Sequence, residues 1–351
     1  MLEIKVPARI CLYGDHQDYL GLPVIAATID RFVHIRALPN EKKLFSLKLL
    51  DMGEEISLAL DDPLIGVVPG DFFRSGLAIL KAAGLQFDRG YDLAISGNIP
   101  INAGLSSSSA LLVAWIRFLV AVQRDLAPYS DFQIGHWAYQ AEVVYFDSPG
   151  GLMDQYTIAQ GGMRYIDTKS GESQRLADPS GRWLVAESGL AKKTLEVLKN
   201  ARVYAQHALA AVQRADPDFA LDQARADAYE KYRDRVPEKY REHWYACIHN
   251  YQITLAAKAE LERDRPCMEK LGGLMDAHQK ILQEQIRNTP LEMAQMMDAA
   301  RQAGALGAKT IGSGGGGCML ALVGAGDLSR VQKAFLNAGA KDVYEVNITA
   351  W

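Results

Sequence analysis

Four serines stand in a row, Ser106 to Ser109, after Gly104-Leu105 and before the apolar run "ALLVAWIRFLV". Serine runs commonly form flexible linkers, and a single serine commonly caps a helix. A linker makes no sense here, because the run sits between a half-buried strand expected in "YDLAISGNIP" and an apolar helix expected over 108–123. A helix start leaves its first amides unpaired and carries partial positive charge, so phosphate is a natural ligand there. Gly104 lets a ligand approach the backbone, and serine hydroxyls donate to phosphate oxygens or reach a metal. One cap needs one serine, not four. No "GK[ST]" follows, so the stretch is not a Walker A loop, and no "HRD" or "DFG" element of protein kinases occurs.

Three further clusters carry chemistry. "GSGGGGC", Gly312 to Cys318, joins two apolar strands rather than two polar segments, and its amides stand open to a ligand. "GDHQD" brings Asp15, His16, Gln17 and Asp18 together. A turn needs fewer polar groups, and carboxylates with a histidine are what hydrogen-bonds neutral sugar hydroxyls. In "QAEVVYFDSPGGLMDQ", Glu142 lies on an expected helix and Asp154 follows the "SPGG" turn. One carboxylate can hold Mg2+, a hard cation that takes oxygen ligands, and a second can orient or deprotonate an attacking hydroxyl. Taken alone, Glu142 is an ordinary solvated helix residue and the "DHQD" segment a solvated loop.

These groups need elements to hold them. "LEIKVPARICLYG", interrupted by Pro7, reads as an edge or bent strand. "VIAATIDRFVHIRAL" continues in β-branched residues, and "LFSLKLLDMGEEISLAL" reads as two strands around Met52-Gly53. Helices are expected over 71–84 and in "DFQIGHWAYQAEVVYF", and strands in "GGMRYIDTKS" and "GRWLVAES". From 189 to 304 the chain reads as mostly helical, broken at Pro217, Pro237, Pro266 and Pro290. Strand, glycine turn, strand, helix and a final strand in "DVYEVNITAW" follow. Strands mixed with helices at both ends predict an α+β chain of two lobes, 1–185 and 186–351, with no internal repeat.

Composition limits the function classes. The 351 residues are 49% hydrophobic and 23% charged, with a formal net charge of −4. That is a globular balance with no basic excess for nucleic acid. No window reaches 18 uninterrupted apolar residues and the start lacks a secretory pattern, so neither a membrane span nor export is expected. The scattered Cys11, Cys247, Cys267 and Cys318 give no zinc spacing and fit a reducing, cytoplasmic setting. His207, His243 and His249 read as ordinary surface or core histidines.

Together, and in this order, the motifs resemble the GHMP kinase superfamily over nearly the whole chain. "PxxxGLSSSA" is met by Pro100 to Ala110 with one extra serine, and "GAxGAKxxGxGGGGC" by Gly304 to Cys318. "PARICLYGDHQDYLGLPVIAATI" is most similar to the galactokinase signature, and "AEVVYFDSPGGLMDQ" to its "AExxxxGxxxGxMDQ". The resemblance implies a two-lobed fold. Its N-terminal α/β lobe carries a left-handed βαβ-type ATP site, and its C-terminal α+β lobe is ferredoxin-like. It implies Asp154 as catalytic carboxylate with Arg9 as partner, and Asp15, His16, Asp18 and Gly151 at the sugar. Gly104 to Ser109, with Gly314 and Gly315 from the second lobe, would hold the ATP phosphates, and Ser108 and Glu142 would hold Mg2+. The expected partners are ATP and a small sugar, bound by a monomer or homodimer.

Departures from the signature (Asp15 for Glu, Gln17 for Thr, Leu20-Gly21-Leu22 for Asn-Gly-Gly) leave the sugar open. "PARI" and "MDQYTIAQGG" also resemble heptose-phosphate and fucose kinases, and a uronic acid is a further candidate acceptor. Mevalonate-type kinases carry "GEHxVVYG" and are less similar. A non-catalytic sugar sensor on the same fold is the other alternative. His278 sits where relatives often have Asn-His, and "EVNITAW" is a candidate lining of the sugar pocket.

Overall fold

The computed structural model describes residues 1–100, 103–123, 129–191, 194–324, 326 and 328–350. Ile101 and Asn102 of the serine motif and the terminal Trp351 lie outside the described residues.

The first sheet is built from β1 (Leu2–Tyr13), β2 (Val24–Asn40), β3 (Leu44–Leu49), β4 (Glu54–Ala59) and, beyond α1 (Phe72–Ala82), β5 (Gly90–Gly97). After α2 (Ser107–Ala121), α3 (Asp131–Tyr139) and α4 (Met153–Gln160) it gains β6 (Met163–Ile166) and β7 (Ser173–Leu176), the last not expected from the sequence. The path runs β4-β3-β5-β2-β6-β7, with β1 on the other edge of the long β2. Pro7 is tolerated because β1 is an edge strand and its register slips between Pro7 and Ala8. β3 and β5 run parallel, which requires the crossover that carries β4 and α1.

The second sheet orders its strands β11-β8-β10-β9. They are β8 (Arg182–Glu187), β9 (Ala305–Thr310), β10 (Cys318–Val323) and β11 (Asp342–Val346). With α9 (Leu291–Gln302) and α10 (Leu328–Asn337) they make a β-α-β-β-α-β run in the order fourth, first, third, second, as a ferredoxin-like lobe requires. Between β8 and α9 lie α5 (Thr194–Ala215), α6 (Ala228–Tyr232), α7 (Arg241–Leu261) and α8 (Met268–Ile281). Each expected proline break falls between helices. The boundary expected at 185/186 falls inside β8, which pairs with β10 and β11 of the second sheet.

α2 is the centre of the core. Leu112, Trp115, Ile116, Phe118 and Leu119 are buried around most of its circumference. Phe45 of the sheet meets the Trp115 and Phe118 rings edge-on at 5.3 and 5.8 Å. A helix apolar all round has to be enclosed, which fixes where its serine start points. The lobes are stitched by polar ties: Tyr13 Oη donates to the Leu271 carbonyl at 2.7 Å and Cys318 N to the Ala103 carbonyl at 2.7 Å. The C-terminal segment bridges Ile348 to Ile29, and the Thr349 carbonyl accepts from Gly162 N.

Candidate active site

Asp154 lies in the first turn of α4, and both its oxygens are held. Arg9 Nε on β1 donates to Oδ1 at 2.7 Å, and Ser106 Oγ donates to Oδ2 at 2.5 Å. Arg9 Nη1 also donates to the Gly104 carbonyl at 2.8 Å, so one guanidinium ties the carboxylate to the serine loop. Burial works against the Arg9 charge, but the Asp154 carboxylate outweighs it and keeps the guanidinium protonated.

Ser106 occupies the cap position of α2 in a left-handed conformation (φ 58°, ψ 48°) and makes no capping bond. Its hydroxyl is turned to Asp154 instead. The first bond into the helix is Ala110 N to the Ser106 carbonyl, so the amides of 107–109 have no acceptor within it. Ser108 Oγ donates to Glu142 Oε1 at 2.9 Å, and Gln155 Nε2 donates to Oε2 at 2.7 Å. Glu142 lies on a π-helical turn, Gln140–Val144, that extends α3. Such turns re-aim one side chain, and this one delivers Glu142 to the serine loop. Burial raises the Glu142 pKa, against the hydrogen bonds from Gln155, Ser109 and Ser108.

Arg9, Asp154, Ser108 and Glu142 line one cavity of about 460 Å3 together with Asp18 and His16. Phe72 and Phe146 form an apolar wall. Asp18 is pushed up to about 7, first by burial and next by the Asp154 charge. Gly151 packs against it so closely that a Cβ would lie 2.1 Å from Asp18 Oδ2. His16 Nε2 is 3.0 Å from the Ser313 carbonyl and Nδ1 is 3.3 Å from Tyr19 Oη, so the imidazole joins the cavity to the second lobe.

Family models described as GHMP kinases N terminal domain and GHMP kinases C terminal match residues 72–162 and 257–341. This chain belongs to the GHMP kinases. It is 29% identical to a galactokinase of Exiguobacterium sibiricum over 331 residues, covering 90% of this chain and 83% of the relative. A mevalonate kinase of Thermococcus gammatolerans is 27% identical over 91% of this chain and 88% of its own length. The fold is similar to that of Lactococcus lactis galactokinase complexed with galactose, with a TM-score of 0.87 and 23% identity over 99% of this chain and 93% of that one.

Asp15 lines the same cavity of this GHMP kinase, but both its oxygens already have partners. Its Oδ2 accepts from Lys309 Nζ at 2.6 Å and its Oδ1 from Gly312 N at 2.8 Å. Gly314 and Gly315 do not line the cavity, and Gly312 and Ser313 do. The amides of Gly315 and Gly317 already donate to the Asn288 and Leu190 carbonyls. Gly314, at φ 75°, has no room for a Cβ beside Asn288, so packing demands the glycine. Gly104, Leu105, Ser106 and Ser107 run beside the cavity, and Ser108 and Ser109 form its wall. Gln17 Nε2 faces away, donating to the Pro23 carbonyl and to Thr254 Oγ1. His278 is buried behind Asp15 and Lys309 with its pKa lowered to about 3, chiefly by burial, so it is neutral. "EVNITAW" does not line the cavity within its described residues.

Lys309, Ser106 as a partner of Asp154, Tyr19 and Asn288 were missed in the sequence. Lys309 left one trace, a lysine inside the apolar "AKTI" beside the glycine run.

Proposed function

We propose that this GHMP kinase transfers the γ-phosphoryl group of ATP to a hydroxyl of a monosaccharide. The observation that carries the reading is the Asp154–Arg9 pair beside the Ser108–Glu142 pair on one cavity wall. Phosphoryl transfer needs alignment and charge neutralisation more than covalent chemistry. The free amides of 107–109 at the α2 start are suited to the ATP phosphates. Phe72 and Phe146 offer an apolar face for the base. Asp154 accepts the proton of the acceptor hydroxyl, and Arg9 holds it in place and opposes the charge that builds on the transferring group. Asp18 and His16 present oxygen and nitrogen to sugar hydroxyls.

The donors fit Mg2+. Ser108 Oγ and Glu142 Oε1 are 2.9 Å apart, and both are hard oxygen ligands. No group of three or more His, Cys, Asp or Glu side chains forms a metal cage among the described residues, which suits an ion shared with a nucleotide. When bound, the ion neutralises phosphate charge. The galactokinase relatives support the sugar acceptor, and the polar Asp18–His16 wall disfavours the apolar acceptor of a mevalonate-type kinase. Arg9, Glu142 and Asp154 assembled in one cavity disfavour a sensor.

ADP release over a panel of sugars tests this. Asp154→Asn is expected to lower kcat by about 100- to 10,000-fold while ATP still binds. Full turnover in that variant removes Asp154 as the base.

A further inference from the structure

Arg202, on α5, is a cation for which the active cavity has no use. A second cavity of about 350 Å3 lies against the first, and the two share the wall made by Asp18, Tyr19, Val143, Ser148, Gly150 and Gly151. Arg202 and Tyr139 complete the second cavity from the far side. The arginine is half-buried there. Its one hydrogen bond among the described residues runs from Nη1 to the Ser148 carbonyl at 3.4 Å, the outer limit for such a bond. No carboxylate among the described residues comes within ion-pairing distance of it, although Asp18 and Asp147 belong to the same cavity.

Arginines that brace this fold behave differently. Arg164 donates to the Gly161 and Gln160 carbonyls at 2.9 and 2.8 Å, and Arg301 to Asp276, Asp298 and the Ala308 carbonyl at 2.7–2.8 Å. A guanidinium has five donors in a fixed fork, and Arg202 leaves its fork open toward a cavity. Tyr139 Oη, on the same cavity, has no hydrogen-bond partner among the described residues. An anionic oxygen group is the ligand that fills a planar fork bidentately. Asp147 is exposed to water.

We propose that this second cavity receives an acidic substituent of the acceptor, a carboxylate or a phosphate monoester, and that Arg202 selects it while the reacting hydroxyl faces Asp154. The proposal rests on the sugar-kinase reading. It assigns this chain an acidic sugar rather than a neutral one. Arg202 then decides specificity and takes no part in the transfer.

The test measures ADP release with neutral aldohexoses, the matching hexuronates and the matching hexose 6-phosphates. Wild type, Arg202→Met and Arg202→Lys are compared. The wild type is expected to favour one acidic series at least tenfold in kcat/KM over its neutral counterpart, and which series wins separates carboxylate from phosphate. Arg202→Met should erase that preference and leave kcat/KM for the neutral sugar within twofold, which also shows that the variant is folded. Arg202→Lys should recover part of the preference. Turnover of neutral sugars with no acidic preference, or an equal loss on both series in Arg202→Met, overturns the proposal and leaves the sugar-kinase reading standing. No turnover of any sugar overturns both.

Discussion

Replacing Lys309 by Met removes a buried cation and leaves a buried anion. Lys309 lies on β9 with its side chain fully enclosed, and Asp15 is 1% exposed. The ammonium donates to Asp15 Oδ2, to the Thr310 carbonyl at 2.6 Å and to the Cys11 carbonyl at 3.1 Å. Without it, Asp15 keeps the Gly312 amide and the Cys11 thiol as hydrogen-bond partners. Breaking one side of a buried pair typically destabilises by about 3–5 kcal/mol. At about 2.1 cal/mol/K per residue, the unfolding entropy of 351 residues is about 0.7 kcal/mol/K, so the melting temperature should fall by about 4–7 °C. Calorimetry at pH 7 measures this.

The pH dependence separates a charge effect from lost packing. Burial alone pushes the Asp15 pKa up, but the Lys309 charge and its hydrogen bond bring it below the ordinary carboxylate value. A depressed folded pKa contributes stability that is present above the unfolded value and is lost as pH falls through the folded one. In Lys309→Met, burial acts without that charge against it and the sign reverses, so lowering the pH relieves the variant. The gap between wild type and variant should therefore shrink from pH 7 to pH 4. Asp15→Asn combined with Lys309→Met should recover more than half of the loss. A gap that does not change with pH, or two losses that simply add, refutes the account.

Three further outcomes follow from the site. Gly151→Ala places a Cβ 2.1 Å from Asp18 Oδ2, so it should raise KM for the acceptor at least tenfold and leave KM for ATP unchanged in steady-state assays. Ser108→Ala should raise the Mg2+ concentration needed for half-maximal ADP release about tenfold, whereas Ser107→Ala, which removes no contact to Glu142, should not. Asp18, pushed up to about 7 by burial and then by Asp154, binds its proton more tightly folded than unfolded. Its charge therefore destabilises the fold above that value and not at pH 4. Asp18→Asn should melt higher than wild type at pH 8, with the difference fading at pH 4.

Elements were legible where periodicity and punctuation agreed. The strands around Met52-Gly53, the helix before β5 and the proline breaks between α5 and α9 are all where composition put them. The site was legible where a residue type was out of place. Serines between apolar elements led to the α2 start, and a carboxylate after "SPGG" led to Asp154. What stayed hidden depends on distant backbone. The π-helical turn carrying Glu142 has no sequence period of its own, because one extra residue per turn is decided by packing. Gly314 looked like an open amide, and the reason for it is the Asn288 backbone and side chain, some two dozen positions earlier.

The serine run shows how far residue type can carry. Read as a phosphate cradle, it contained more hydroxyls than phosphate and metal need. The structure gives the surplus separate work. Ser106 leaves its capping role, takes a left-handed backbone and holds Asp154 Oδ2. Ser107 opens the helix. Ser108 reaches Glu142 Oε1, and Ser109, buried, faces the same carboxylate. Two acids from different elements are thus fixed by neighbouring positions on one helix start. Because α2 is enclosed in the core, that start is rigid, and rigidity is what a loose phosphoryl-transfer transition state asks of its surroundings. A substitution that moves α2 within the core should therefore disturb both carboxylates at once, although it touches neither.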